Sequence, residues 1–261
     1  MKTRIAAIAA ALLLGSSLIL VSAATVAAAG PSMAGPGGKG VCAAYAPGKS
    51  SPDPSGARGT ATLTGLKAFG DCEINRRFAT LTDLSSKITA SKVITTSDKS
   101  TLQSEIGSTK AGLTSLKAGI DGDTDLTSLK ADIQKIATEF RVYLLLAPQV
   151  HLVNGADAVL AAQTGFADIN TRLAAAIAVA KTAGKDTTAA QTDLDAMNAS
   201  VAAAAGLAGP LPAQLLPLTP AQYNGGTAGS TLANARTALV QARNDLKSAE
   251  ASAKACRDAL K

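Results

Sequence analysis

The chain has no tryptophan, three tyrosines, four phenylalanines and a single histidine among 261 residues. Stacking on unpaired bases needs aromatic rings, and recognition of phosphate needs a clustered basic face, so nucleic-acid binding is a poor fit. One histidine, with no close pair among the three cysteines, leaves no ligand spacing for a zinc centre. Long apolar runs are also scarce: apart from Ile5 to Val21, no stretch is expected to cross a bilayer.

What is present begins with a targeting pattern. Lys2 and Arg4, the apolar run and Ala27-Ala28-Ala29 before Gly30 are the three regions of a secretory signal peptide, residues 1–29. Cleavage would lower the formal net charge from +6 to +4 by removing two cations, leaving an ordinary surface. The expected location is secreted or extracytoplasmic, with association with the cell wall or envelope open. Residues 30–62 are rich in Gly, Pro, Ser and Ala and offer little to bury, which predicts a disordered tail. Gly35-Pro36-Gly37-Gly38-Lys39-Gly40 lacks the spacing and the hydroxyl residue of a phosphate loop.

Residues 63–261 read as a helical bundle, with possible sub-bundles 63–147 and 149–261. The organising stretch is Thr124 to Gly184. Leu126, Leu129, Ile133, Ile136, Phe140, Tyr143 and Ala147 alternate steps of three and four, the seam of a helix packed lengthwise on partners. The rhythm resumes at Leu152 after a step of five, so the stripe changes phase around Pro148, where a proline should kink or break the helix. Unbroken, such a helix would run about 90 Å at 1.5 Å per residue. Helices are also expected from Leu63 or Cys72 to about Ser91, from near Ser97 to Gly119, after Asp186, and from Ser230 to Leu260. Gly209 to Leu218 reads as an extended, proline-spaced spacer, and Thr219-Pro220 with Gln222 as a capping box.

Three sites are worth weighing. Asp121, Asp123, Asp125 and Asp132 occupy positions 1, 3, 5 and 12 of a calcium-loop spacing. Position 6 is Leu126 where that loop needs Gly, so the preferred reading is helix capping with no metal. Phe140, Tyr143, His151 and Asp157 form the densest group of functional side chains and are the candidate interaction site, with no residue assigned a catalytic role. Among the cysteines, Cys72 near the start of the first helix and Cys256 near the end of the last are the expected disulfide. Cys42 with Cys72 is the alternative, since spacing alone does not fix pairing.

Phe140-Arg141-Val142-Tyr143, Pro148-Gln149-Val150-His151, Gly184-Lys185-Asp186 and Leu218-Thr219-Pro220 resemble a group of uncharacterised exported bacterial helical-bundle proteins over about residues 139–260. That resemblance implies a fold and no activity. The expected fold is all-α, an elongated antiparallel helical bundle or coiled coil with a long central helix kinked or broken at Pro148. The expected function is a secreted or envelope-associated structural or interaction protein without catalysis or cofactor. Its partner would be a protein or envelope component, or a second copy of itself. The alternative is an extracytoplasmic binder of an amphiphile or of calcium.

Overall fold

A computed structural model describes Cys42 and residues 62–261, and the signal-peptide and tail expectations therefore lie outside the described residues except at Cys42 and Thr62. Every regular element among the described residues is helical, as expected: α1 (Leu63–Ala90), α2 (Thr96–Gly122), α3 (Leu126–Thr138), a π-turn (Val142–Leu146), α4 (Ala147–Thr182), α5 (Thr188–Ala208), α6 (Leu211–Leu215), α7 (Pro220–Asn224) and α8 (Thr227–Ala259). The termini follow local chemistry. The side chains of Thr62, Thr95 and Asp125 accept backbone N–H bonds at the starts of α1, α2 and α3, satisfying donors that have no partner inside the helix.

The first three helices pack up, down and up. Gly70 of α1 lies beside Ile120 of α2 and Ile133 of α3, and Ser85 donates to Gln103 at 2.7 Å, so α1 and α2 run antiparallel. Phe140, just past α3, covers Gly112 of α2. A β-carbon at position 112 would stand 2.5 Å from Phe140 Cε1, which fixes glycine there. The core they enclose is made of large aliphatic side chains, with Ile74, Leu81, Leu102, Leu113, Ile120 and Leu129 fully buried. Each contributes about 1.5–3 kcal/mol of burial.

The spine of the molecule is α3 continued into α4. Its interruption falls at Glu139–Arg141 and is followed by the π-turn, a few residues before Pro148 rather than on it. Arg141 adopts a left-handed φ of 35°, unusual for a non-glycine residue. Pro148 then occupies the first turn of α4, where its missing N–H is tolerated. The wider turn upstream gives the pyrrolidine ring room that an α-turn would deny it. The step of five in the stripe is the footprint of this arrangement, because a π-turn takes in one extra residue.

The C-terminal array is α4, α5 and α8. Gly184, with a φ of 78°, ends the turn after α4. Ala190 and Leu194 at the start of α5 share a core with Cys256 near the end of α8, so α5 and α8 are antiparallel. Gly155 sits against Leu239, and Lys185 Nζ donates to the Leu260 carbonyl at 3.4 Å, so α4 and α8 run parallel. Much of this interface is alanine: Ala190, Ala204, Ala235, Ala242 and Ala249 are buried, as alternating Leu and Ala on α8 leads one to expect.

Two expectations are corrected. The segment from Gly209 to Leu218 is not wholly extended, because α6 forms within it. Pro210 and Pro212 occupy the cap and first turn, where no donor is lost, and Leu211 and Leu215, four apart, are both buried. The disulfide joins Cys42 to Cys72, and Cys256 is free and buried. The expected Cys72–Cys256 bond fails because α1 packs on α2 and α3, whereas Cys256 belongs to the separate core of α4, α5 and α8. Burial raises the Cys256 thiol pKa, with Asp193 adding to the effect, so it is a poor nucleophile.

The stretch Leu126–Thr182 has the length and composition of a membrane span, with a mean hydropathy of 1.3 over its best window, contrary to the expectation that none follows the N-terminal run. Of that window, 56% is buried against other helices, as in the core helix of a bundle.

Candidate functional site

The four residues of the candidate interaction site do not converge. Phe140 is spent on Gly112. Tyr143 lies under two guanidinium groups, with the Arg76 and Arg77 carbons 5.3 and 5.1 Å from its ring centroid, a cation–π arrangement. Glu73 pairs with both arginines at 2.7 Å, so this cluster is largely neutralised.

Asp157 is 3% exposed and accepts the Thr95 amide N–H at 3.1 Å, which places a carboxylate from α4 at the start of α2. Desolvation raises its pKa, and Asp98 in the first turn of α2 adds to the rise. Its role is to dock the turn between α1 and α2 onto the spine. A second dock lies one turn earlier, where Ser91 Oγ donates to Asn154 Oδ1 at 2.9 Å. Lys99 Nζ donates to the Ser91 carbonyl, closing the turn.

His151 sits beside that dock, on the rim of a groove of about 360 Å³ between the end of α1 and the first turns of α4. Ile88, Ile94 and Val150 provide its apolar part, and Lys87, Ser91, His151 and Asn154 its polar part. The imidazole remains partly exposed, yet desolvation on its inner side and then the Lys87 ammonium hold its pKa below the ordinary histidine value, with Asp83 opposing. Of the four expected residues, only His151 lines this groove. Ser91 and Asn154 carry weak sequence signals: one follows the end of a helix, and the other is three residues from His151 and hence on the same face. Nothing in the sequence marks Lys87.

Gln149 was also invisible to sequence reasoning. Its amide is fully buried and donates to the Leu215 and Leu218 carbonyls at 2.9 and 3.2 Å, fastening α6 to the spine.

The acidic turn is divided among separate tasks. Asp125 caps α3 through the Thr127 and Ser128 amides at 2.8 and 3.0 Å, and bonds from Ser128 hold its pKa below the usual carboxylate range. Asp121 pairs with Lys117 at 3.1 Å and Asp132 with Lys135 at 2.8 Å. Asp123 closes α2 and has a buried oxygen, Oδ2, without a hydrogen-bond partner. Among the described residues, no three His, Cys, Asp or Glu side chains are gathered as a cation site requires. A second groove lies along Ala178, Val179, Thr182 and Ala183 near the end of α4 and has no charged lining.

No family model matches the chain, and comparisons with curated proteins and with solved structures likewise find no match.

Proposed function

We propose that the protein is an extracytoplasmic helical interaction module without catalytic chemistry, its contact point being the groove between α1 and α4. The observation that carries this reading is the way the polar groups of the groove are committed. The Ser91 hydroxyl is held by Asn154 and by the Val93 and Ile94 amides at 3.4 and 3.2 Å, and not by His151. A nucleophile needs a base within hydrogen-bond reach, and here the two are not paired. The same groups make a rigid recognition surface, because the docked turn fixes their positions on two packed helices.

The Cys42–Cys72 bond supports an oxidising compartment, in keeping with the secretory pattern at the N-terminus. The resemblance of residues 139–260 to exported bacterial helical proteins points the same way. The test is fractionation of producing cells, followed by crosslinking of the mature chain to its own envelope fraction. Recovery outside the cytoplasm, with the disulfide oxidised and an envelope component captured in a manner sensitive to Asn154→Trp in the groove, is the expected result. Residence in the cytoplasm with reduced cysteines would overturn it.

A further inference from the structure

We propose that the groove between α1 and α4 binds a small monocarboxylate with an apolar body. This rests on the groove being the contact point and names the chemistry it selects.

The inference starts from donors and acceptors. Asn154 uses its Oδ1 to accept from Ser91, which fixes the orientation of the amide and leaves Nδ2 with two N–H donors and no protein acceptor. The neutral imidazole of His151 carries one N–H. Lys87 adds an ammonium group on the same rim. The acceptors are already occupied: the Ser91 hydroxyl receives the Val93 and Ile94 amides, and its carbonyl receives Lys99. The free hydrogen-bonding capacity of the rim is therefore on the donor side, which suits an acceptor-only anion.

Lys87 is paired with Asp83 at 2.8 Å, which seems at first to cancel its charge. Both side chains are more than half exposed, at 59% and 52%. An ion pair that open is weak and screened by salt. Exchange of Asp83 for an entering carboxylate, or sharing of the ammonium between them, therefore meets little resistance. The Asn154 donors have no such competitor.

Size and polarity select the rest of the ligand. A volume of about 360 Å³ is near the lower end of small-molecule sites, about 300–1,000 Å³. It excludes a two-chain lipid and suits a single short chain or ring. Ile88, Ile94 and Val150 supply the apolar contact, and Val150 and Ile94 are both nearly fully buried, so the wall is firm. A phosphate would gain from the ammonium but would leave this wall uncovered.

The test is an amide chemical-shift titration of the mature chain with octanoate, octanol and octylamine at pH 7.5. Octanoate is expected to shift residues 87–94 and 150–154 saturably, with octanol at least about tenfold weaker and octylamine weaker still. Asn154→Asp keeps the acceptor for Ser91 while replacing the free donors with negative charge, so it should abolish octanoate binding with the melting temperature unchanged. Lys87→Gln should weaken octanoate about tenfold and leave octanol unaffected. Equal binding of octanoate and octanol, shifts outside these segments, or octanoate binding insensitive to both variants would each overturn the proposal. Such a failure leaves capture of an envelope component untouched, so the two readings fall separately.

Discussion

The two ends of the spine solve the same packing problem with different side chains. Around α1, α2 and α3 the helices are held apart by isoleucine and leucine, and the exceptional close contact is made by Gly112 under Phe140. Around α4, α5 and α8 the knobs are largely alanine, with Ile177, Leu194 and Met197 as the large exceptions in the distal core. Large side chains bury more apolar area per residue and leave deeper cavities when removed. Small ones let helices approach closely but have no room to grow. The first array should thus be sensitive to truncation and the second to enlargement.

The largest expected effect follows directly. Leu113→Ala in α2 should cost about 3–5 kcal/mol in chemical denaturation, since a fully buried leucine leaves a cavity that rigid neighbours do not fill. Next is the link that braces the first array alone. Cys42→Ser opens a bond spanning 30 residues, worth about 3.5 kcal/mol by the chain-entropy relation. Amide exchange should rise in α1 and leave α5 and the end of α8 unchanged. The complementary substitution is Ala249→Leu, expected to cost about 1–3 kcal/mol by overpacking. Its cost falling below that of Ala→Leu at exposed Ala251 would sink the contrast between the arrays.

A smaller effect depends on pH. Glu105 on α2 lies two turns from Gly112 on the same face, and one of its oxygens, Oε2, is buried without a partner. Desolvation raises its pKa from 4.5 to about 7. The folded chain therefore holds this proton more tightly than the unfolded one, and stability contributed by the group is full at low pH and falls as pH rises from about 4.5 to 7. Allowing for solvent at the edge of the carboxyl, Glu105→Gln should raise stability by about 1–2 kcal/mol at pH 8 and by little at pH 4. Equal gains at both values would show that ionisation is not the cause. The smallest effect is at the dock between the arrays. Asp157→Asn keeps an acceptor for the Thr95 amide and removes a charge crowded by Asp98, so it should be neutral or slightly stabilising at pH 7, whereas Asp157→Ala should cost about 1 kcal/mol through the lost cap.

The helical fold was legible because its period is written in every long segment: Leu102, Ile106, Leu113 and Ile120 repeat as they pack. Capping was legible too, at Thr219 with Gln222 and at Asp125. The disulfide was not, since pairing depends on which helices become neighbours, and α1 and α8 carry equally good stripes. The break was placed at Pro148 because proline is the strongest local signal. Arg141 has no sequence mark of its left-handed backbone, and the side chains that hold it there, Tyr223 stacked at 5.0 Å and Asn224 accepting its Nε–H at 2.8 Å, come from more than 80 residues away. The candidate site was half visible for the same reason. His151 stands out by rarity, but the groove exists only once the end of α1 reaches α4.

The π-turn has a consequence at the level of the gene. Each residue of an α-helix advances the chain by about 100° around its axis, so one surplus residue re-aims everything downstream by that angle. Removal of a single codon within Val142–Leu146 would let the turn relax to ordinary α geometry and keep the spine helical. It would also swing the α4 stripe of Leu152, Ala156 and Val159 away from α8. Such a deletion would leave secondary structure nearly intact by circular dichroism while uncoupling the two arrays. The reading frame of the bundle is thus kept by one residue that no hydrophobic contact would otherwise require.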